Sequence, residues 1–425
     1  MTAEAKEKEE NVRFGLLGRK LAHSFSPRIH GLLGGYAYGL FEKEPEELER
    51  FLKETKLIGM NVTIPYKKAV LPFLASVSEE AKRIGSVNTL VRREEGWHGY
   101  NTDYAGFRHM VERSGFQMKG RKGLVLGSGG ASLAVRTALE DMEASDIVVI
   151  SRSGPDNYDN LERHSDADFI VNTTPVGMFP ETGRAAVSLE AFPDCRAVFD
   201  LIYNPARTKL MMEAEEKGLI CSGGLPMLVG QAAGSAGLFL EVLEPEENRR
   251  ISEECIEAVT AQIASETANV ILIGMPGCGK SLVGKLLADR IGRPFLDLDQ
   301  EFAKRFGRTP EETILAEGEN AFRMLESALI ADTGRYTGYV IATGGGCVTR
   351  EENYRPLHQN GTIVWLTRDI KRLSSKGRPI TQKEGAAALY AKREPMYTRF
   401  ADIKVSNDGE PAQAAEEILR AMVKI

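Results

Sequence analysis

A lysine and a carboxylate that share a pocket can move a proton to or from an alcohol oxygen, and Lys67 and Asp103 are candidates for such a pair. In NVTIPYK, Asn61, Thr63 and Lys67 cluster around the end of a predicted strand. In GYNTDYAG, Asn101 and Asp103 sit in a loop that leads into a helix. The lysine exchanges protons usefully near neutral pH only with a partner and partial desolvation. Hydride transfer at a secondary alcohol needs one such group on the oxygen. On spacing alone Lys67 also fits a surface lysine, and Asp103 also fits a helix N-cap.

A second set of residues points to phosphate. Residues 274–281 read GMPGCGKS, a full G-x-x-x-x-G-K-S between an apolar run and a helical one. Glycines there let backbone N–H groups turn inward around phosphates, and the helix N-terminus adds positive dipole. Gly277, Cys278, Gly279, Lys280, Ser281 and Leu282 are thus the candidates for ATP, with Lys280 reaching the β- and γ-phosphates and Ser281 ligating Mg²⁺. FLDLD places Asp297 and Asp299 two apart at the end of a predicted strand, which would turn both toward the phosphate loop. One would hold the Mg²⁺ shell and the other would orient an acceptor hydroxyl. Arg323 in GENAFRMLE and Arg393 in AKREPMY fall on predicted helices and could clamp a small carboxylate, although each also fits a surface arginine. ATGGGCV lets backbone approach a ligand closely, and Arg378 in the basic loop KRLSSKGRPI could cover the transferring phosphate.

A third set is the turn GLVLGSGGAS, with Gly127, Gly129, Gly130 and Ala131. It departs from a strict G-x-G-x-x-G because position 132 is Ser, but it lies after a strand and before a helix. The next strand ends in ISRS. An NAD site would carry Asp or Glu there; Arg152, followed by Ser153, suits a 2′-phosphate instead and favours NADP.

These residues need two series of strand–turn–helix units to hold them. Strands are predicted at 12–17, 57–64, 123–127, 146–151, 168–174 and 197–203, with a helix at 131–140. The segment 226–243 is apolar at near-helical spacing, and Ser252 caps a helix that runs to about residue 265. A new series starts at 269–274 and continues with strands at 339–345 and 362–366, so the main boundary falls near residue 266. Both series predict parallel sheets with covered faces.

The 425 residues allow several compact units, and 42% hydrophobic content fills ordinary cores. A net charge of -6 gives no reason to expect nucleic acid. Cys195, Cys221, Cys255, Cys278 and Cys347 show no metal or C-x-x-C spacing and fit a reducing compartment, the cytoplasm. MTAEAKEKEE lacks the apolar core of a secretion signal. No unbroken apolar run reaches about 18 residues, so no membrane span is expected.

GMPGCGKS, FLDLD, GENAFRMLE, TGGGCV, GRPI and KREPMY, in that order, resemble shikimate kinase over most of the C-terminal part. The resemblance implies shikimate held by Asp299, Arg323, Gly345 and Arg393, Asp297 in the Mg²⁺ shell, Arg378 as lid arginine and Arg372 against adenine. HSFSPRIH, GMNVTIPYK, SVNTL, GYNTDYAG, LGSGGAS, NTTPVGM, DLIYNP and GGLPMLVGQA resemble shikimate dehydrogenase over residues 12–265. That likeness implies catalysis by Lys67 and Asp103, substrate contacts from Ser24, Ser26, Asn61, Thr63, Asn88, Tyr203 and Gln231, and Met178 and Gly224 near the nicotinamide of NADP. The intervals Ser26–Asn61 and Arg152–Asn172 are short for that family, which predicts a trimmed first helix and second strand and a reduced sheet wall.

The expected architecture is α/β throughout: a substrate domain (1–102 plus 226–266), a Rossmann-like NADP domain (103–225) and a P-loop kinase domain (267–425) with a parallel sheet. The expected chemistry is NADPH-dependent reduction of 3-dehydroshikimate, then ATP- and Mg²⁺-dependent phosphorylation of shikimate. The partners expected are small molecules, with no nucleic acid or membrane. Two alternatives stay open at this point. One is quinate with NAD, beside a kinase for another small polyol acid. The other is that one part is a non-catalytic nucleotide-binding module.

Overall fold

The computed structural model describes residues 12–21, 24–243, 250–373 and 379–422. Two units emerge. The first takes in residues up to Gly177, Arg184–Tyr203 and Leu210–Ile263; the second takes in Met178–Gly183, Asn204–Lys209 and the chain from Ala264 onward.

The first unit contains β1 (Phe14–Gly18), β2 (Tyr38–Glu42), β3 (Gly59–Val62), β4 (Ser76–Val77), β5 (Thr89–Arg93) and β6 (Gly96–Tyr100). They form a mixed sheet in the order β2-β1-β3-β5-β6-β4, in which β1 is parallel to β2 and β3, and β5 is antiparallel to β3 and β6. The short interval after Ser26 still holds a helix, Ser26–Gly34, and β2.

A second sheet follows, built from β7 (Lys122–Leu126), β8 (Asp146–Ile150), β9 (Phe169–Asn172), β10 (Ala197–Asp200) and β11 (Ile220–Ser222). It is wholly parallel, in the order β11-β10-β9-β7-β8. Val125, Phe169 and Phe199 face one core and Leu124, Ile170 and Val198 another, as a sheet covered on both faces requires. The chain passes from β7 to β8 on one side and returns to β9 on the other, which opens a crevice at the carboxyl end of β7. Among the described residues the β8–β9 connection carries one short 3₁₀ turn, Leu161–His164, and no α-helix.

Two strands end before the segments predicted for them do. Asn172 Oδ1 accepts from Thr174 N (3.1 Å), and Asp200 Oδ1 accepts from Ile202 N (3.1 Å). Each side chain thereby turns the chain out of the ladder.

The helix Leu225–Leu243 is long and apolar enough to cross a membrane by length and composition alone, contrary to the expectation that no segment would be. Gln231, Ser235 and Glu241 interrupt its apolar run without lowering the average enough. In the fold it is a core helix. It packs on Asp103–Ser114, and a Cβ at Gly106 would stand 2.6 Å from the Met227 carbonyl.

The second unit holds β12 (Asn269–Ile273), β13 (Phe295–Asp297), β14 (Val340–Ala342), β15 (Gly361–Thr367) and β16 (Ile403–Ser406), all parallel, in the order β13-β14-β12-β15-β16. β12 lies between β14 and β15, so a crevice opens at its carboxyl end as well. Ser252 caps the helix Glu253–Thr267 as expected, its Oγ accepting from Cys255 N at 3.3 Å.

Candidate active sites

β3 delivers Lys67, and the helix Asp103–Ser114 opens with Asp103. Lys67 Nζ donates to Asp103 Oδ2 in an ion pair whose side chains are 15% and 6% exposed. Burial of this kind is rare unless charges are paired, so the surface-lysine reading fails. The N-cap reading fails too: Thr102 occupies that position, which puts the Asp103 carboxylate inside the first turn, where the helix dipole favours it. Asn88 Nδ2 approaches Asp103 Oδ1 (2.9 Å), Thr102 Oγ1 (3.0 Å) and Gln231 Oε1 (3.3 Å). Asn88 Oδ1 accepts from Thr102 N at 2.8 Å.

The neighbouring polar groups are also fixed. Asn61 Oδ1 accepts from Tyr38 OH (2.7 Å), and Asn61 Nδ2 donates to Thr89 Oγ1 (3.1 Å). His30 stacks on Tyr38, 4.1 Å between centroids, and burial holds its imidazole neutral by pushing the pKa down to about 3. Ser24 Oγ donates to Ser26 Oγ (3.1 Å), and Tyr203 is half-buried, with desolvation raising its hydroxyl pKa and a hydrogen bond with Ser24 opposing. Thr63 is half-buried, its N–H on the Leu17 carbonyl at 2.9 Å. Tyr38, His30 and Thr102 escaped the sequence reading because the Tyr38–Asn61 and Asn88–Thr102 bonds join residues 23 and 14 apart, and His30 is placed through its stack on Tyr38. No local spacing encodes them.

Gly127 follows β7 at φ 101, a conformation that favours glycine, and its N–H bonds the Ile150 carbonyl at 2.8 Å. Gly129 is the N-cap of the helix Gly130–Asp141, and Ala131 is half-buried in its first turn. Ser132 Oγ donates to Gly129 O (2.7 Å), so the residue that breaks the glycine motif closes the turn instead. A Cβ at Gly130 would stand 3.3 Å from the Lys67 Cβ. The dinucleotide turn therefore lies against the proton-transfer pair, and the residues present fit a dinucleotide. Arg152 and Ser153 are exposed just past β8. Gly224 packs where a Cβ would fall 2.1 Å from the Leu201 carbonyl. Met178 is 41% exposed and belongs to the second unit, outside the unit that holds the dinucleotide turn.

In the second unit the loop after β12 closes through Gly279, at φ 99, into the helix Lys280–Ile291. Lys280 is buried and donates to the carbonyls of Gly274 (2.8 Å) and Met275 (3.1 Å). Gly277, Gly279, Lys280, Ser281 and Leu282 line a cavity of about 370 Å³, while Cys278 turns its side chain into the core. Asp299, Arg323, Gly345 and Arg393 line the same cavity, so the surface reading of both arginines fails. Arg323 is oriented by Glu326 (2.6 Å) and Glu319 (3.1 Å) on its own helix. Arg393 Nη1 donates to Gly345 O at 3.0 Å, and Tyr397 OH donates to the same carbonyl. A Cβ at Gly346 would lie 1.9 Å from the Arg323 guanidinium, one at Gly345 2.5 Å from Pro276 and one at Gly344 2.4 Å from Glu326, which explains the glycine run.

FLDLD does not behave as expected. The strand β13 stops at Asp297, which caps a helix, Leu298–Phe306, with Oδ1 accepting from Asp299 N (3.0 Å) and Gln300 N (3.4 Å). The two aspartates therefore do not alternate along one strand face. An aspartate at a strand end is also a strong N-cap, and that signal won. Asp299 lines the cavity as an exposed residue, and desolvation by the cavity walls pushes its carboxyl up to about 6, with Lys280 opposing and Asp297 and Glu326 adding. Ser281 lines the cavity, whereas Asp297 is not among its lining residues and uses Oδ1 on the helix cap; both carry hard oxygens of the kind that suit Mg²⁺. Arg372 is exposed, in the turn Ile370–Arg372 beside Asp408 O. Arg378 lies outside the described residues.

Proton transfer beside a dinucleotide turn, and phosphoryl transfer to an acid held by two arginines, are what these arrangements can perform. Fold and sites together define a dinucleotide-dependent oxidoreductase joined in one chain to a P-loop kinase. The chain belongs to the shikimate dehydrogenase family and carries a shikimate kinase domain fused to it. Residues 16–90 match the shikimate dehydrogenase substrate binding domain, and residues 276–423 match shikimate kinase. Shikimate dehydrogenase (NADP(+)) of Clostridium perfringens is 38% identical over 240 residues, which is 51% of this chain and 88% of that protein. A chorismate mutase/shikimate 5-dehydrogenase fusion protein from Clostridium acetobutylicum is similar in structure, with TM-score 0.55, 37% identity, and coverage of 60% of this chain and 97% of that one. Shikimate dehydrogenase 1 from Peptoclostridium difficile gives TM-score 0.54 at 35% identity, covering 59% and 97%.

Proposed function

We propose that this chain reduces 3-dehydroshikimate to shikimate with NADPH and then phosphorylates the shikimate 3-hydroxyl with ATP. The observation that carries the reading is that a buried Lys67–Asp103 pair and an arginine-lined P-loop cavity are both intact in one chain. NADPH, when bound, supplies the hydride. Lys67 gives its proton to the carbonyl oxygen as that oxygen becomes an alkoxide, and Asp103 holds the ammonium in place. Ser24, Ser26, Asn61, Thr63, Asn88, Tyr203 and Gln231 surround the ring, and Gly127, Gly129, Gly130, Ala131, Arg152, Ser153 and Gly224 hold the dinucleotide.

In the kinase part Arg323 and Arg393 bind the ring carboxylate, which turns the hydroxyl toward Asp299. Lys280 and Arg378 neutralise charge on the transferring phosphoryl group, with Mg²⁺ held by Ser281 and Asp297. Arg372 covers the adenine. Lys67→Ala should lower NADP-linked oxidation of shikimate by about 10²–10⁴-fold and leave ATP-dependent phosphorylation intact. Lys280→Ala should do the reverse. Loss of both activities from either folded variant would contradict two independent sites.

A further inference from the structure

Asn101 is 2% exposed, and its amide hydrogen-bonds backbone groups that lead to both reacting residues. Its Oδ1 accepts from Asp103 N at 3.1 Å. Its Nδ2 donates to Ser86 O at 2.8 Å and to Ser86 Oγ at 3.2 Å. The next residue, Val87, donates its N–H to the Lys67 carbonyl at 2.9 Å. The Lys67–Asp103 ion pair then closes a ring: Lys67, the Ser86–Val87 segment, Asn101, Asp103 and back to Lys67. Ser86, wholly buried, also reaches Gly130 O at 3.4 Å, the first residue of the helix opened by the dinucleotide turn.

We infer that Asn101 is a positioning residue for the hydride-transfer reaction: it fixes the separation of the Lys67–Asp103 pair and ties that pair, through Ser86, to the cofactor turn. The inference rests on the dehydrogenase reading of the first unit. Its chemical logic is a division of labour between two buried amides. Asn88 aims the Asp103 carboxylate through Oδ1 at 2.9 Å. Asn101 uses its acceptor and its donor on backbone groups, so neither the rotamer of Asp103 nor a substrate contact accounts for it. An asparagine suits the position because one short side chain accepts through Oδ1 on one side and donates through Nδ2 on the other. Misplacing reacting groups by about 1 Å is enough to cost on the order of 10²-fold in rate.

The test uses the full-length chain with shikimate and NADP⁺ varied separately. Asn101→Ala and the near-isosteric Asn101→Asp, which keeps the acceptor and loses the donor, should each lower kcat by at least about tenfold, with both KM values within about threefold of wild type. ATP-dependent phosphorylation by the same polypeptide should be unchanged. The Asp variant keeps the question open to measurement if the Ala variant fails to fold. A kcat within about twofold of wild type in either folded variant overturns the inference. So does a rise confined to the KM for shikimate, which would make Asn101 a substrate ligand. A wild-type chain with no NADP-linked activity would instead sink the dehydrogenase reading itself.

Discussion

Lys67 and Asp103 are 36 residues apart and meet inside the fold with most of their surface removed from water. Their residue types made them candidates for a pair in the sequence; the geometry that joins them was not legible there, since it depends on the turn after β3 and the helix Asp103–Ser114 converging. Asn61, Asn88 and Gln231 came with the family motifs, whereas Tyr38 and His30 had no local signal. Asp297 and Asp299 show the opposite problem. The residues were legible, and the choice between strand and N-cap was misjudged because both fit D-L-D. Asp299 carries a prediction at this scale. Its carboxyl is pushed up to about 6, so it keeps its proton to higher pH than an ordinary carboxylate near 4. In the proposed reaction the ionised form orients the hydroxyl. The kinase kcat/KM should therefore rise as pH passes through about 6 and flatten above it. An acidic limb near 4 would contradict gating by an Asp299 whose carboxyl is raised.

At the scale of elements, each site is built where a parallel sheet reverses its winding, after β7 and after β12. This much was readable, because a glycine turn between an apolar run and a helix is a local pattern. The packing between elements was not. Gly106 and Gly230 let the helices Asp103–Ser114 and Leu225–Leu243 approach closely; a Cβ at Gly106 meets the Met227 carbonyl at 2.6 Å and Gln231 at 2.9 Å. Gly106→Ala should destabilise the first unit by about 1–3 kcal/mol and disturb Gln231, read as a lower unfolding temperature and a raised KM for shikimate. Unchanged values would mean the two helices separate without cost. Gly346→Ala tests the second unit in the same way. The new methyl group would displace the Arg323 guanidinium, so the KM of the kinase for shikimate should rise by at least about tenfold while the KM for ATP holds. Equal increases in both would place Arg323 outside the acceptor site.

At the scale of the whole molecule, the chain groups into two units, each with its own nucleotide turn. A ligand that binds one folded unit stabilises that unit by about 2.7 kcal/mol at a hundredfold excess over its dissociation constant. NADP⁺ should raise the unfolding temperature of the first unit and an ATP analogue that of the second, followed by hydrogen exchange in β7 and in β12. Protection of both strands by either nucleotide would argue that the units act as one. The joined activities are tested most directly by a single incubation of the purified chain with 3-dehydroshikimate, NADPH, ATP and Mg²⁺, with the products identified by mass. The account predicts oxidation of NADPH and consumption of ATP in equal amounts, with shikimate 3-phosphate as the end product. Accumulation of unphosphorylated shikimate, or no oxidation of NADPH at all, would contradict it.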